Sequence, residues 1–276
     1  MPELPEVETI VRQLATTLPG HRVREVVVHQ PDLLRPSEEA FQTRIPGLEV
    51  RSVSRRGKNI LLAFSRPPLL LVNLGMTGRL LHRTAAASTS PPSHLGLTLS
   101  LEPEGALVYA DVRRFGLLRL LSPEEWKVES ARLGPEPLGR SLTSSAFHRA
   151  LQASGSPIRS WLLNQEKIAG VGNIYAAEAL FMAGIHPRRP ARSLEAREAG
   201  DLLRGLRSVL RQAIEAQGTT LRDYRTALGE EGNFRQRLRV YGREGDPCHR
   251  CKTPVVRIVF GNRSAFFCPC CQPEVP

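Results

Sequence analysis

Met1-Pro2-Glu3-Leu4-Pro5-Glu6-Val7-Glu8-Thr9-Ile10 opens the chain, and the remaining residues are best understood outward from it. Pro5 suits the first turn of a helix, and Val7, Ile10, Val11, Leu14 and Leu18 recur at helical spacing until Pro19-Gly20 stops it. A proline at position 2 is small enough for the initiator methionine to be removed, which would leave Pro2 as a secondary amine. An α-amino group has a reference pKa of about 7.7–8.0 against about 10.4 for lysine, so roughly a tenth of such amines are unprotonated near pH 7. An unprotonated amine is what Schiff-base chemistry needs, and the positive N-terminal end of a helix disfavours the ammonium form. Glu3 supplies an adjacent carboxylate able to move protons. The same residues also suit a capped helix with no chemistry, and nothing within the stretch separates the two readings.

At 276 residues and 41% hydrophobic, the chain is long enough for one large or two ordinary domains with real cores. No apolar run approaches the roughly 18 residues of a membrane span, and no charged-then-apolar leader is present, so a soluble cytoplasmic protein without a membrane partner is expected. The net charge of +11 is dominated by arginine. With a sequence pI near 10.2 it points to a polyanion, most often nucleic acid.

Residues 22–121 read as strands. Val23 to His29, Leu48 to Val53, Asn59 to Phe64, Leu69 to Leu74, Leu95 to Leu101, Ala106 to Ala110 and Phe115 to Leu121 are short, apolar or alternating runs. Many short strands without long intervening helices predict a β-sandwich or flattened barrel. Between them, Arg55-Arg56-Gly57-Lys58-Asn59 predicts a hairpin tip that projects Lys58. Asp111-Val112-Arg113-Arg114-Phe115-Gly116 sets guanidinium groups beside an aromatic ring, a pairing able to hold phosphate while the ring wedges or stacks on a base. Asn73 to Gly78 places Met76 between glycines, and Thr84 to Ser93 is a low-complexity loop. Taken singly, these turns suit ordinary solvated loops better than a binding role, and Met76 suits core filling better than probing.

Prolines and glycines between Ser122 and Ser145 predict a linker, after which the pattern becomes helical. Ser156-Pro157 predicts a helix running to Ile168, Gly170-Val171-Gly172 a tight turn, and Asn173 the cap of a second helix ending at Gly184. This helix–two-turn–helix layout aims backbone N–H groups and the Asn173 amide at one point, a ready anion site. A long amphipathic helix follows from about Leu194 to Ala216, and Gly229 to Phe234 reads as a mobile loop. All five cysteines lie between 248 and 271. Cys248-x2-Cys251, sixteen residues, then Cys268-x2-Cys271 is the spacing of a four-thiolate zinc site on a β-hairpin. Four thiolates leave no open position, so the single ion is structural, and Cys270 is a spare thiol. Arg257 and Arg263 lie between the pairs, where a hairpin would present them outward as a minor-groove finger. The fold class is therefore α+β. A leading helix and β-sandwich occupy 1–121, a linker 122–145, a helical domain 146–242, and a zinc hairpin 243–276.

In this order the pieces resemble the formamidopyrimidine-DNA glycosylase (MutM) family of bifunctional base-excision enzymes over nearly the whole chain. The resemblance rests on PELPEVET at the start, GKN at 57–59, LGMTG at 74–78, RRFG at 113–116, GVGNIYAAEALF at 170–181, AGIHP at 183–187, VYGREGDPC at 240–248 and the four-cysteine hairpin. It implies a glycosylase and abasic-site lyase that removes 8-oxoguanine and formamidopyrimidines through an iminium on Pro2, followed by β- and δ-elimination. By the same resemblance Glu3 assists ring opening and proton transfer, and Lys58 stabilises charge or relays protons. Met76, Arg113 and Phe115 fill or wedge the gap left by the everted base, while Asn173 and Arg263 bind flanking phosphates. Double-stranded DNA with oxidised purines or abasic sites is the implied partner, one zinc the implied ion, and a monomer associated with the nucleoid the implied state. The sequence departs from the common pattern at Asn73 (His), Val112 (Pro) and Phe267 (Tyr), in an acidic 229–234 loop, and in the 94–101 strand. Two other readings remain: an endonuclease VIII-like enzyme for oxidised pyrimidines, which Leu4 disfavours, and a damaged-DNA binder without catalysis.

Overall fold

The computed structural model describes residues 2–84, 92–260 and 263–274; Met1 and most of the low-complexity loop lie outside the described residues. The chain forms two compact units, one of residues 1–132 with 214–233, the other of 133–213 with 234–276.

In the first unit, helix α1 (Leu4–Thr17) leads. Leu4, Val7, Ile10 and Leu14 are fully buried on one face. Each such side chain contributes about 1.5–3 kcal/mol relative to exposure, which outweighs propensity in deciding that this segment is helical. Two sheets come next. One is four-stranded, ordered β1-β7-β8-β6, from Arg22–Val28, Leu95–Glu102, Ala106–Asp111 and Gly78–Arg83. The other is five-stranded, ordered β2-β9-β5-β4-β3, from Leu34–Arg35, Leu117–Leu121, Leu69–Asn73, Asn59–Phe64 and Val50–Arg56. Every pairing is antiparallel except β2 with β9. Leucines and valines of both sheets and of α1 join in a single core, which makes the unit a sandwich. Strands β4 and β5 are buried at successive positions, as strands covered on both faces are.

Several elements differ from the sequence expectation. Strand β6 hides its alternation because its inward residues are Gly78, Leu80 and His82, a set that is not apolar. Helix α2 (Glu38–Arg44) is capped by Ser37 and buries only Phe41, too little to show a period. The stretch expected to be a linker holds helix α3 (Pro123–Ala131), closed by a Ser122–Glu125 capping box, and the start of α4 (Ser144–Gln152), capped by Thr143.

The second unit is helical. Helix α5 (Ile158–Leu163) stops well before Ile168, because Asn164 turns extended and its side chain accepts from the Glu166 N–H at 2.9 Å. Helix α6 (Asn173–Ala183) ends on left-handed Gly184, as expected. Helix α7 (Ala196–Glu215) is the long amphipathic helix. Strands β10 (Val256–Phe260) and β11 (Arg263–Phe267) form the C-terminal hairpin.

Candidate functional site: a bound N-terminus, a pair of projecting turns and a metal hairpin

Pro2 and Glu3 lie buried at the start of α1. A reciprocal capping box closes this end, and the Glu3 N–H donates to Glu6 Oε2 at 2.8 Å. The other Glu6 oxygen accepts from the Thr219 N–H at 2.7 Å, so one carboxylate that is 1% exposed joins the N-terminus to a segment over two hundred residues away. Glu8 then ties α1 to the β3–β4 hairpin. Arg55 Nε donates to Glu8 Oε2 at 2.8 Å, and Arg55 Nη1 donates to the Gly57 carbonyl at 2.8 Å. Gly57, at φ +58°, and half-buried Lys58 form the two-residue turn of that hairpin, so Lys58 sits at the expected hairpin tip. Burial pushes the Glu8 carboxyl up, but hydrogen bonds and charge from Arg55 and Arg12 outweigh it and hold Glu8 below the usual carboxylate range.

The segment 219–233, whose later part the sequence predicts to be a mobile loop, is anchored along most of its length. Arg79 Nε donates to the Asp223 carbonyl, the His82 N–H to the Ala227 carbonyl, and the Ala227 N–H to Gln13 Oε1, all at 2.8–2.9 Å. Tyr224 is buried and its hydroxyl donates to the Gln217 carbonyl at 3.0 Å; burial, then the charge of Glu6, push its pKa well above the usual phenol value. Leu228, Gly229, Glu230 and Glu231 form the exposed crest.

Two turns of the sandwich hold large side chains in solvent. Met76 is 40% exposed and Phe115 58%, and the Arg113 guanidinium lies over the Phe115 ring at 4.6 Å. Gly75, at φ +55°, sits so close that an added Cβ would fall 2.4 Å from the backbone of Phe115. Asn73, where the resembling family commonly has histidine, uses its amide within the protein: Nδ2 donates to Asn59 Oδ1 at 2.8 Å, and Oδ1 accepts from the Gly75 N–H at 3.0 Å.

In the second unit Gly172, not Asn173, is the N-cap of α6, and Asn173 is the first helical residue. Its Oδ1 accepts from Arg159 Nη2 at 2.8 Å, and its Nδ2 donates to the Ser264 carbonyl at 2.9 Å. Arg159 also donates to Ser264 O at 3.0 Å. The amide is thus locked between α5 and β11, one residue from exposed Arg263. Arg159 is 2% exposed, and burial, then the charge of Arg263, lower its pKa. No motif singles out this residue, although an arginine among apolar helix positions is a visible signal.

The sulfurs of Cys248, Cys251, Cys268 and Cys271 lie within 4.8 Å of one another. Adjacent pairs stand 3.4 to 3.9 Å apart. Zn–S bonds of about 2.3 Å in a tetrahedron require S···S separations of about 3.8 Å, so the four thiols fit one zinc ion. Cys248 and Cys268 are packed against Ala177, Phe181, Val240 and Val255, so the site is closed and structural. Cys270 is exposed. Three further side chains hold the zinc region and the segment leading into it. Gln272, 1% exposed, donates to the Ile185 carbonyl at 2.8 Å and accepts from the Cys268 N–H at 3.0 Å. Arg250 donates to the carbonyls of Phe181 and Met182 at the C-terminal end of α6. Glu178, fully buried, accepts from the backbone N–H groups of Arg239, Val240 and Tyr241 at 2.9–3.1 Å.

Three family descriptions match the chain in sequence. They are the formamidopyrimidine-DNA glycosylase N-terminal domain over residues 1–118, the formamidopyrimidine-DNA glycosylase H2TH domain over 133–225, and the zinc finger found in FPG and IleRS over 245–273. A formamidopyrimidine-DNA glycosylase of Laribacter hongkongensis is 43% identical over 273 residues, 99% of this chain and 100% of that protein. The crystal structure of the MutM (FPG) protein of Thermus thermophilus superposes with a TM-score of 0.88 at 43% identity, covering both chains completely. A Lactococcus lactis FPG mutant in complex with Fapy-dG containing DNA superposes at 0.92 with 32% identity over 99% of this chain and 100% of that one. The Lactococcus lactis protein has also been solved with abasic site containing DNA. From sandwich to zinc hairpin, the chain belongs to the formamidopyrimidine-DNA glycosylase family.

Proposed function

We propose that this chain excises oxidised purines from double-stranded DNA and then cleaves the strand, with the Pro2 amine as nucleophile. The observation that carries the reading is the bound N-terminus: Pro2 and Glu3 head a helix that Glu8 and Arg55 tie to the turn bearing Lys58. Once Met1 is removed, the helix N-terminus disfavours charge on the Pro2 amine and so favours the unprotonated nucleophile. Attack of the Pro2 nitrogen on the sugar C1′ breaks the glycosidic bond, and the base leaves with a proton. Ring opening gives an iminium that serves as electron sink. Loss of the 2′ proton then expels the 3′ phosphate, and δ-elimination expels the 5′ phosphate, leaving a one-nucleotide gap. Glu3 carries protons at the sugar, and Lys58 stabilises charge there.

The lesion must leave the base stack before Pro2 can reach C1′. Met76, Arg113 and Phe115 occupy the hole, and Asn173 with Arg263 holds backbone phosphates. The zinc, held by Cys248, Cys251, Cys268 and Cys271, fixes the hairpin and takes no part in the chemistry. The protein acts as a monomer on nucleoid DNA; among the described residues no helix is long and apolar enough to cross a membrane. A lesion panel tests the substrate class. Release of 8-oxoguanine opposite cytosine should outpace release of thymine glycol at least tenfold, and the reverse order would move the protein to the oxidised-pyrimidine branch.

A further inference from the structure

Asp111 ends strand β8 at 2% exposure, and both of its oxygens are engaged. Oδ1 accepts a short bond from the Thr77 hydroxyl and a second from the Arg113 N–H at 3.2 Å. Oδ2 accepts from the Gly116 N–H at 2.8 Å and from the Tyr109 hydroxyl at 3.2 Å. Thr77 Oγ1 itself accepts from the Arg113 N–H at 3.0 Å. Burial, then Asp111, push the Tyr109 phenol far above its usual pKa, so its hydroxyl remains a donor. Two turns distant in sequence, 74–77 and 111–116, are therefore cross-linked through one carboxylate.

This cross-link is more specific than generic packing. The turns meet backbone to backbone at Gly75 and Phe115, and an added Cβ at Gly116 would overlap the Tyr109 hydroxyl at 1.6 Å. Asp111 spans the beginning and end of the 111–116 turn, because it bonds both the Arg113 and the Gly116 N–H groups. Thr77 immediately follows Met76, so the carboxylate fixes the start of one projecting side chain relative to the other two. A hole opened by base extrusion has to be filled by all of them in a fixed arrangement, since separate mobile side chains would lose that register with each fluctuation.

We propose that Asp111, acting through Thr77 and Tyr109, is the positioning residue that sets Met76, Arg113 and Phe115 as one rigid wedge for base extrusion. It touches neither the base nor the sugar. The inference rests on the hole-filling role proposed for these three side chains. Its consequence is a division of labour: disruption of the clamp should slow steps that need the duplex opened and spare chemistry on a site that is already open.

The test compares Thr77→Val, Thr77→Ser, Asp111→Asn and Tyr109→Phe with the wild type on two substrates. The first is duplex DNA with 8-oxoguanine and a neighbouring 2-aminopurine that reports unstacking; the second is single-stranded DNA with a preformed abasic site. A misplacement of about 1 Å can cost on the order of a hundredfold in rate. Thr77→Val and Asp111→Asn should therefore slow duplex excision by about 10- to 100-fold and slow the 2-aminopurine signal in parallel. Thr77→Ser should restore both, Tyr109→Phe should lie between, and borohydride trapping on the single strand should stay within about twofold. Thermal melting accompanies each variant, so that Thr77→Ser and Thr77→Val can be compared at matched stability. Unchanged unstacking in a folded Thr77→Val protein, or an equal loss of single-strand trapping, would overturn the proposal. Failure of the wild type to trap at all would instead sink the reading of the function on which it rests.

Discussion

The two units solve one problem, that of holding exposed functional groups still, by different chemistry. In the first, buried carboxylates gather backbone N–H and hydroxyl groups from distant segments: Glu6 joins the N-terminus to the Thr219 N–H, and Asp111 joins its own turn to the Thr77 hydroxyl. In the second, Glu178 does the same for residues 239–241, but the hairpin beyond depends on four thiols drawn to one point. A carboxylate clamp draws on a core that already exists, whereas a hairpin with few apolar contacts has too small a core of its own. The first arrangement should therefore fail locally and by degrees, the second all at once.

Metal removal should produce the largest effect. Structural zinc is worth about 10–16 kcal/mol of apparent binding energy in finger peptides, so chelation should unfold the 243–276 region and reduce DNA affinity at least a hundredfold. Hydrogen exchange would show the first unit still protected. Unchanged affinity after verified metal loss would remove the distinction between the units.

Glu178→Ala comes next. It strands the buried Val240 N–H and the half-buried N–H groups of Arg239 and Tyr241, at about 1–3 kcal/mol for a buried donor left unmade, and should lower stability by about 2–3 kcal/mol in urea titration of the zinc-loaded protein. A loss below about 1 kcal/mol would mean that water replaces the carboxylate. Glu6→Gln keeps shape and one acceptor, so its cost should be about 1–2 kcal/mol and confined to the 219–233 segment. Faster amide exchange at Thr219 and Ala227 without global destabilisation is the expected pattern, and uniform exchange across the unit would contradict local failure.

The smallest effect is a pH dependence with two windows. His82 is kept below the usual histidine range by burial and then by His21, whose ring meets it edge-on at 5.8 Å. The unfolded chain takes up a proton near pH 6.5 that the folded chain resists, so this stability is complete above about pH 6.5 and falls as pH drops below it. Glu8, also depressed, loses its contribution only below the usual carboxylate pKa of about 4.3. His82→Leu should flatten the upper window and Glu8→Gln the lower, each by at most about 1.4 kcal/mol per pH unit. Identical profiles for the variants and the wild type would show that neither group is linked to folding.

Much of this molecule is legible in the order of its amino acids. The 59–64 strand, the 57–58 turn, the Gly184 stop and the cysteine spacing are local signals, in which neighbours along the chain fix the outcome. What escapes such a reading is non-local. Two local features are exceptions: strand β6 is hidden because its inward face includes a histidine, and the periodicity carries α5 too far because the Asn164 side chain ends it by bonding two residues ahead. The 219–233 segment reads as loop because its order comes from Glu6, Gln13, Arg79 and His82, none of them near it in sequence. Arg159, Glu178 and Gln272 carry weight for the same reason: each bonds backbone or side-chain groups far along the chain.

The most direct test of the central claim is the mass of the protein after borohydride trapping on a duplex carrying 8-oxoguanine opposite cytosine. The account predicts loss of Met1 before reaction and a single reduced DNA adduct that maps to the Pro2 nitrogen. An adduct on a lysine, or a processed protein that binds the duplex and forms none, would contradict it.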